Sequence, residues 1–491
     1  MGFSNSFSWR SSLKVILISV KAERGKRPHY GKLPFQRHFN FGLLGLASTA
    51  FRAGHEVEVW DQDDPAHGDL DELCSLVANS APDVVGLSCI SGFSYPSMLE
   101  LARSLRPRIP GSLLIAGGMD HVGQIPQRVL ADSPEIDAVV VGYGEVPLLT
   151  ILDNLSAVDI APGVCTRGRV SPDPAVASLG IPALDYHLFR GFAQVPASVE
   201  LARGCPFHCS FCVTAGRTLD RRPPDDLADR LLEACIAYGD PALKVYLEAP
   251  LATFTRDYLR ALRAGLRARG IAPTWRTECR LDTLAPSLAE DLYAAGCRVL
   301  DLGLESASPR ILEWMNKASN AESYIRCASK LLRALADNNI FAKLNILFYA
   351  GETTDTMMET REFLEARRSQ VGAIAAGPLY LYPGIADESR ILTLLDRSGG
   401  SIVEDPEWQA RCLRPVNPSR ELTFDELLAY SLEFEQDFQT ASKYFYQRQW
   451  GYFRPGVTYD QFISAVAQAG SENFPFEAPD EQAGFDFSQT A

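Results

Sequence analysis

The sequence predicts an α/β protein with a doubly wound parallel sheet at the N-terminus, a partial (β/α) barrel in the centre and a small, mainly helical C-terminal domain. Short β-branched runs alternate with amphipathic segments from Lys14 to about Leu155, and again beyond Val199. Such alternation indicates parallel strands joined by helices. Beyond about residue 400 the periodicity is mainly helical. The predicted domains are residues 1–155, 196–395 and 396–491, with a linker at 156–195.

The first sheet is predicted from the runs KVILISV, EVEVWD, DVVGLSCIS, SLLIAGG and DAVVVGYGE. Glycines and small residues collect where these strands end, and ligands bind at that edge in parallel sheets. Taken singly, each glycine could equally serve only a tight turn. The candidates for close backbone approach to a ligand are Ser88, Ser91, Gly117, Gly118, Gly142 and Gly144. The stretch 156–195 is less regular and carries several Pro and Gly residues, which is typical of a linker.

The barrel is predicted from LKVYLEA, TWRTECRL, RVLDLGLES, FAKLNILFYAG and GAIAAGPLYLYPG. Arg276, Glu278 and Arg280 alternate on the second of these runs and therefore share one face of a strand. Charged groups inside a barrel need partners or a ligand to offset desolvation, which favours binding of a zwitterion. Lys343 and Asn345 also share a face, and they could meet a ligand or pair with a neighbour.

The C-terminal part is predicted to contain one long helix, TFDELLAYSLEFEQDFQTASKYF. It begins with a capping box, Thr423 to Glu426. Helical spacing places five apolar residues on one face, namely Leu427, Phe434, Phe438, Ala441 and Phe445. This face predicts a helix directed at a core, although its aromatic residues could instead line a substrate cavity or form a lid.

Charge and composition limit the classes of partner. The chain has 47 Lys and Arg against 61 Asp and Glu, a net charge of −14, so no basic patch is available to follow a phosphate backbone. We therefore expect neither nucleic acid nor a membrane as partner, since KVILISV is far shorter than a membrane span. Eleven cysteines without an export signal predict a cytoplasmic location.

ELARGCPFHCSFC places Cys205, Cys209 and Cys212 at C-x3-C-x2-C spacing, on a loop after the first barrel strand. Three thiols are an odd number for disulfides and one short of the four ligands of a closed zinc or iron-sulfur site. On a four-iron cluster, three thiolates leave one iron open to a substrate or cofactor. Zinc is the alternative, but His208 is the only local fourth ligand, and its adjacency to Cys209 makes joint ligation strained.

The motif C-x3-C-x-aromatic-C, with Phe211 in the aromatic place, resembles the cluster motif of the radical S-adenosylmethionine (SAM) superfamily. GCRVLDLGLESASPRILEWMNK, LFYAGETTDTMMET and LYLYPG resemble later segments of the class that includes methylthiotransferases and relatives of magnesium-protoporphyrin cyclase. GGMDHVGQIPQRVLADSPEIDAVVVGYGEVPLLTIL is similar to the end of the cobalamin-binding domain that precedes many such barrels. The resemblance covers most of residues 14–390. It departs from the pattern in lacking D-x-H-x-x-G, although several members bind cobalamin without that motif.

The resemblance implies three cofactors. They are a 4Fe-4S cluster on the three cysteines, SAM on the open iron, and cobalamin on the strand-end loops of the first sheet. Phe211 would pack beside the adenine, Glu248 would meet the methionine amine, and Glu305 would meet the ribose hydroxyls or the amine. Arg276, Glu278 and Arg280 are further predicted SAM contacts. Lys343 and Tyr380 are the predicted catalytic residues beside the substrate.

The implied reaction is methylation of an unactivated carbon, or of phosphorus, in a small molecule of secondary metabolism. An external electron donor of the flavodoxin or ferredoxin type would reduce the cluster. The same scaffold also supports cyclisation or rearrangement, or transfer of a 3-amino-3-carboxypropyl group. A sensor or cluster carrier without turnover is an alternative of another class. Methylthiotransfer to tRNA is disfavoured, because neither cysteines for a second cluster nor a basic RNA-binding domain are evident.

Overall fold

The computed structural model describes residues 12–23, 33–37, 39–169, 179–470 and 473–476, which form two compact units. The first comprises the described residues up to Glu23 together with Gly42–Arg190. The second comprises the described residues of 24–41 and those from Gly191 onward. The first unit thus runs past residue 155 and through most of the stretch predicted as a linker.

The first unit is built on a six-stranded sheet in the order β2-β1-β3-β4-β5-β6. Its strands are β1 Lys14–Ser19, β2 Glu56–Asp61, β3 Val84–Ser88, β4 Leu113–Gly117, β5 Ala138–Val140 and β6 Val164–Thr166. The connecting helices are α1 Phe41–Arg52, α2 Leu70–Asn79, α3 Tyr95–Leu105, α4 Pro126–Asp132 and α5 Glu145–Asp153. The first five strands are parallel, which confirms the predicted doubly wound sheet, and β6 is antiparallel to β5.

The strand order reverses beside β1, because the chain passes from β1 outward to β2 and then to β3 on the other side. Such a reversal opens a crevice at the carboxyl ends of the strands, where ligands of doubly wound sheets bind. Ser88 and Gly117 are paired neighbours at these ends of β3 and β4. The predicted ligand edge therefore includes the end of β3, which borders the switch point of the sheet.

The second unit contains six parallel strands in the order β14-β13-β12-β11-β10-β7, as expected for a partial barrel. The strands, with a small hairpin of β8 and β9, are β7 Ala197–Glu200, β8 Ala202–Arg203, β9 Asp220–Arg221, β10 Lys244–Glu248, β11 Thr274–Arg280, β12 Cys297–Glu305, β13 Phe341–Phe348 and β14 Ala373–Pro378. The helices are α6 Pro224–Tyr238, α7 Arg256–Ala268, α8 Ala289–Ala294, α9 Pro309–Trp314, α10 Ala321–Asp337 and α11 Thr354–Glu365.

The C-terminal region is helical as predicted, but it also holds a small antiparallel sheet of β15 Tyr380–Leu381, β16 Ser401–Ile402 and β17 Arg414–Asn417. Its helices are α12 Glu388–Ser398, α13 Pro406–Gln409, α14 Phe424–Phe438, α15 Ala441–Arg448 and α16 Tyr459–Ala469. The capping box at Thr423 is present. The long helix predicted here is two helices, because Gln439 is extended and the Thr440 side chain caps α15. None of the described helices is both long and apolar enough to cross a membrane.

Helix α14 covers the open edge of the barrel at β14. The buried carboxylate of Glu435 accepts a hydrogen bond from the backbone N–H of Ala376, at 2.7 Å. The rings of Tyr430 and Phe434 pack against Phe348, with centroid separations of 5.6 and 6.4 Å. The aromatic face of α14 therefore packs on the edge of the barrel. This agrees with the core-directed helix predicted from the sequence, for which a cavity lining or a lid was the alternative.

The segment 446–452, which we call the floor segment, closes the N-terminal end of the barrel. The Gln447 carbonyl accepts from Arg276 Nη1 at 2.7 Å, and Trp450 Nε1 donates to Thr274 Oγ1 at 3.1 Å. A Cβ at Gly451 would lie 2.4 Å from the Tyr246 ring. The interior of the barrel therefore has a floor supplied by residues far along the chain.

Candidate functional site

The cysteine loop runs between β8 and β9 and is folded by its glycines and its own backbone. Gly204 has φ +77°, and a Cβ there would lie 2.1 Å from the Thr218 carbonyl oxygen, so only glycine fits. The backbone N–H of Gly216 donates to the Phe207 carbonyl at 2.8 Å, and the backbone N–H of Arg217 donates to the Cys205 carbonyl at 2.9 Å. These bonds draw the loop into a compact turn around its thiols.

A backbone carbonyl and two tyrosine side chains from later in the chain anchor the same loop. The backbone N–H and the hydroxyl of Ser210 both donate to the Met315 carbonyl at 2.9 Å, and Ser210 Oγ lies 2.6 Å from the Tyr349 hydroxyl. Tyr382 donates to the Phe211 carbonyl. Sequence reasoning missed Ser210 and Tyr349, because their contact joins positions 139 residues apart.

The three thiols form a donor set that suits a cluster better than a single ion. Cys205 and Cys209 are buried, and Cys212 is half-buried. Burial raises the pKa of Cys205 and Cys209, and the neighbouring charge of Cys212 raises it further. The positive charges of Arg280 and Lys317 act in the opposite direction, toward a lower pKa. No three His, Cys, Asp or Glu side chains of the described residues are arranged to hold one metal ion, whereas the thiolates of a four-iron cluster each bind a different iron.

His208, the fourth ligand that a zinc site would need, is exposed, and its ring lies about 3 Å from the Cβ position of Gly216. The Asn316 side chain donates to the His208 carbonyl at 2.8 Å and fixes this part of the loop. The residues present therefore fit the cluster better than the zinc alternative.

Two buried cations stand beside the thiols. Arg280 Nη1 donates to Cys209 Sγ at 3.1 Å, and Lys317 Nζ forms an ion pair with Glu305 Oε1 at 2.9 Å. Lys317 Nζ also lies 5.8 Å from the centroid of the Phe211 ring. Arg280 and Glu305, both predicted SAM contacts, are thus placed with the cysteine loop and with a lysine that sequence reasoning did not select.

The lower interior of the barrel is a network of paired charges. Arg276 forms a bidentate ion pair with Asp301, with both N–O distances 2.7 Å. The Tyr246 hydroxyl oxygen lies 2.9 Å from Glu278 Oε1 and 3.1 Å from Asp301 Oδ2, within hydrogen-bond distance of both. Lys343 Nζ lies 3.5 Å from Asp301 Oδ1. Burial alone would raise the pKa of Asp301, but Arg276 and Lys343 outweigh it and lower that pKa to about 2.

This network pairs Arg276 with groups of the chain itself. Its guanidinium is buried and bonded to Asp301 and to the floor segment, and its contact with SAM stays a prediction. Arg276 and Glu278 do share the interior face, as the alternation on β11 predicts. Lys343 donates to Asn345 Oδ1 at 3.0 Å, the neighbour pairing that the sequence left open for these two residues.

Two carboxylates remain accessible inside the barrel. Glu248 is half-buried and accepts a hydrogen bond from Ser198 Oγ at 2.7 Å. Burial raises its pKa to about 8, against the hydrogen bond from Ser198. Glu278 is exposed, and desolvation by the surrounding protein together with the charge of Asp301 raises its pKa. Both carboxylates are thus on the interior face of the sheet and reached by solvent, so these two groups can meet a ligand.

Tyr380 lies apart from this network. It belongs to the short antiparallel sheet, and its ring packs 5.1 Å from Trp408 and 5.0 Å from Phe424, centroid to centroid. Tyr380 thus packs within this sheet, and its catalytic role stays a prediction. The predicted strand GAIAAGPLYLYPG ends at Pro378, and the chain then enters a different sheet.

The small residues predicted at the strand ends of the first unit are of two kinds: some are required by the fold, and others leave room for a ligand. A Cβ at Gly118, where φ is +146°, would lie 2.0 Å from the Cys89 carbonyl oxygen, and one at Gly144 would lie 3.1 Å from Leu46. The fold itself requires small residues there. A Cβ at Gly117 would meet only Val140, at 3.7 Å. Ser88, Ser91, Gly117 and Gly142 are half-buried at this edge, which fits a cradle for a bulky cofactor such as cobalamin.

Comparison with known proteins agrees with both units. Residues 34–152 match the B12 binding domain, and residues 199–364 match the radical SAM superfamily. An uncharacterised methyltransferase of Pyrococcus horikoshii is 28% identical over 305 residues, which are 58% of this chain and 64% of the relative. The anaerobic magnesium-protoporphyrin IX monomethyl ester cyclase of Rubrivivax gelatinosus is 26% identical over 319 residues, 59% of this chain and 55% of the relative. The chain spans less than two thirds of either relative.

A solved structure shares the fold over most of the chain. The radical SAM methyltransferase TsrM from Kitasatospora setae, with cobalamin and a [4Fe-4S] cluster bound, has a TM-score of 0.65 at 17% identity, covering 96% of this chain and 93% of TsrM. TsrM is also known with its tryptophan substrate and a SAM analogue bound. The chain therefore carries a B12-binding domain at residues 34–152, ahead of a radical SAM domain at residues 199–364.

Proposed function

We propose that this chain is a cobalamin-dependent methyltransferase that acts on an unactivated carbon, or on phosphorus, of a small molecule. The observation that carries the proposal is the presence in one chain of a three-thiol loop on a parallel barrel and a B12-binding domain. When bound, the cluster with SAM supplies a carbon radical and cobalamin supplies a transferable methyl group. A carbon without a nucleophilic electron pair needs both, because polar methyl transfer cannot reach it.

The cysteine loop would hold the cluster through Cys205, Cys209 and Cys212. Anchoring of Ser210 to Met315 and Tyr349 fixes the loop against the barrel, which keeps the thiols at constant positions. Phe211, edge-on to Tyr349 at a centroid distance of 6.4 Å, would support the adenine of SAM.

The barrel interior would bind SAM and the substrate through Glu248 and Glu278. With its pKa raised to about 8 by burial, Glu248 mostly holds its proton at neutral pH and can donate a hydrogen bond. The Glu278 carboxylate, held by the Tyr246 hydroxyl, can accept one from an amine or hydroxyl. Lys343 would then keep Asp301 charged rather than act on the substrate.

The deciding experiment supplies the reduced, cofactor-loaded protein with SAM whose methyl group is labelled. Candidate substrates would be small molecules made by enzymes encoded beside this gene. We expect the label in the product, with S-adenosylhomocysteine and 5′-deoxyadenosine formed in equal amounts. Deuterium at the reacting carbon of the substrate should appear in 5′-deoxyadenosine. Substrate-dependent 5′-deoxyadenosine together with an unlabelled product would contradict methyl transfer.

A second candidate is cyclisation or rearrangement, which the matching cyclase of Rubrivivax gelatinosus favours. It predicts a product that differs from the substrate by hydrogen atoms or connectivity and never contains the labelled methyl. Transfer of a 3-amino-3-carboxypropyl group would instead yield methylthioadenosine. The same labelled reaction therefore separates all three. An external one-electron donor, of the flavodoxin or ferredoxin type, is part of the proposal in each case.

A further inference from the structure

Arg280 directs one nitrogen of its guanidinium at a cysteine sulfur. Nη1 donates to Cys209 Sγ at 3.1 Å, and both side chains are buried. Nε and Nη2 bind the Asp282 carboxylate at 2.9 Å each, and Nη2 also donates to the Lys317 carbonyl. Because ion pairing with Asp282 uses the other two nitrogens, Nη1 is left for the sulfur.

The guanidinium is also held against the loop itself. Its carbon lies 3.9 Å from the centroid of the Phe207 ring, which stands two residues before Cys209. Stacking on an aromatic face fixes the plane of an arginine, as a lysine could not. The Asp282 carboxylate, the Lys317 carbonyl and the Phe207 ring therefore together fix the direction in which Nη1–H points toward Cys209.

Lys317 is a second buried cation at the same loop. It is 6% exposed, pairs with Glu305, and lies over the Phe211 ring. Its backbone carbonyl accepts a hydrogen bond from Arg280 Nη2, so the two cations lie side by side next to the loop. Burying these two ion pairs costs more free energy than apolar residues of similar volume would at the same positions. We therefore expect the two cations to have a function beside the thiols.

We propose that Arg280 and Lys317 raise the reduction potential of the cluster held by Cys205, Cys209 and Cys212. The reduction is a one-electron step, in which a donor of the flavodoxin or ferredoxin type is oxidised and the cluster gains one negative charge. A hydrogen bond to a ligand sulfur and a nearby cation both stabilise that added charge, most strongly where water is excluded. The inference rests on the proposed function, in that it requires the cluster on these cysteines.

The assignment gives Arg280 a role different from binding SAM. A residue that only contacts SAM would change SAM affinity and leave the potential of the SAM-free cluster unchanged. A residue that only holds the loop would change iron content. A shift in potential at full iron content and without SAM separates the electrostatic role from both.

The test is a redox titration of the reconstituted full-length protein without SAM, followed by electron paramagnetic resonance of the reduced cluster. The variants are Arg280→Gln, Arg280→Lys and Lys317→Met, and iron content is measured for each. We expect Arg280→Gln and Lys317→Met each to shift the ratio of reduced to oxidised cluster at least tenfold toward the oxidised form. For one electron this is a fall of 59 mV. Arg280→Lys, which keeps the charge but not the stacked fork, should shift it less than Arg280→Gln.

The matched control is Arg310→Gln, which removes an exposed arginine that bonds Thr353 at 3.0 Å and should leave the potential unchanged. If Arg280→Gln does not assemble iron, Lys317→Met decides, because it removes a charge without removing a bond to sulfur. If variants with full iron content keep a ratio of reduced to oxidised cluster within twofold of wild type, this inference is overturned and the proposed function is not. A wild-type chain that binds no cluster would instead overturn the proposed function.

Discussion

A loop that offers three thiols to one cluster depends on each of them, because each thiolate binds its own iron. We predict that the reconstituted wild-type protein holds about four irons per chain and that a variant with Cys205, Cys209 and Cys212 all replaced by alanine holds almost none. Iron and acid-labile sulfide assays measure this. The control is Cys327→Ala, which removes an exposed cysteine and should leave the iron content unchanged. A full cluster in the triple variant would refute the ligand assignment.

Glu248 gives the barrel a dependence on pH whose sign follows from its raised pKa. Because the folded-state pKa of about 8 exceeds the ordinary value, the folded chain binds this proton more tightly than the unfolded chain. The resulting stability is present below the ordinary pKa, near 4.5, and is lost as pH rises through about 8. Glu248→Gln should therefore lose less stability between pH 5 and 8 than wild type.

Each pKa unit corresponds to about 1.4 kcal/mol, but solvent contact of this half-buried carboxyl reduces the effect, so we expect a difference of about 1 to 2 kcal/mol. Denaturant unfolding of the cofactor-free chain at both pH values measures it. Equal losses of stability in wild type and Glu248→Gln would show that the carboxyl is ionised at neutral pH.

Residue placement could be predicted where it depended on local spacing. The C-x3-C-x2-C loop and the shared face of Arg276 and Glu278 follow from short-range patterns. The partners that these side chains bind could not be predicted from such patterns. Arg280 bonds Cys209, which is 71 residues away in the chain, and Arg276 bonds the Gln447 carbonyl, which is 171 residues away. Charge alternation indicated that the interior is polar but not which charges would neutralise one another.

At the scale of elements, the edge of β14 depends on one buried carboxylate. Glu435→Ala would leave the Ala376 N–H without this acceptor, and an unsatisfied buried group costs about 1 to 3 kcal/mol. Glu435→Gln keeps an acceptor oxygen and should cost less. Thermal unfolding ranks the variants, and hydrogen exchange at Ala376 should quicken in Glu435→Ala. Unchanged exchange there would contradict the role of α14 as cover for this strand.

The strand-end loops of the first unit allow fold and cofactor to be tested separately. Gly118→Ala should destabilise the unit by about 3 kcal/mol, because its Cβ meets the Cys89 carbonyl. Gly54→Ala, with φ +96° and nothing within 4 Å of the added Cβ, should cost only about 1 kcal/mol. Unfolding of the cofactor-free chain measures both.

Gly117→Leu should lower cobalamin retention with little change in the stability of the cofactor-free chain, because the Cβ itself has room. Absorbance of bound cobalamin after gel filtration measures retention. Undiminished retention would place the cofactor away from this edge.

Elements could be predicted where they were long and periodic. The first five strands of the N-terminal sheet and the barrel strands each stand out as β-branched runs. β6 and β15, with three and two residues, carry too little pattern to be recognised. The break between α14 and α15 was hidden because apolar spacing continues across it, while the Gln439 side chain turns to the Pro475 carbonyl.

At the scale of the whole second unit, the floor segment ties the C-terminal region to the barrel. Gly451→Ala would drive a Cβ to 2.4 Å from the Tyr246 ring, and φ +85° adds strain. We predict a loss of about 3 kcal/mol in the unfolding free energy. The control Gly456→Ala has a similar φ of +82° but nothing within 4 Å, so the difference between the two isolates the contact with Tyr246. Equal losses would show that the floor does not press on the barrel.

Sequence reasoning divided the chain into successive domains, whereas the second unit gathers residues from both ends. Leu33 and Phe35 lie in one aromatic cluster with Phe453 and Phe462, and the ring centroids of Phe35 and Phe453 are 5.1 Å apart. Nothing in local periodicity indicates that an early segment joins a late core. Such a contact depends on tertiary packing alone.

The floor segment has a consequence for the order in which the protein is made. Arg276 and Asp301 leave the ribosome long before residues 446–452, so the nascent barrel carries its buried ion pair without the Gln447 carbonyl or the Tyr452 ring that lies 4.9 Å from Arg276. Because domains fold as units during synthesis, we expect the barrel to close only after residues 446–452 have emerged. Ribosome-arrested chains that end before Tyr446 should be cut by protease within the barrel, whereas released full-length chains should resist.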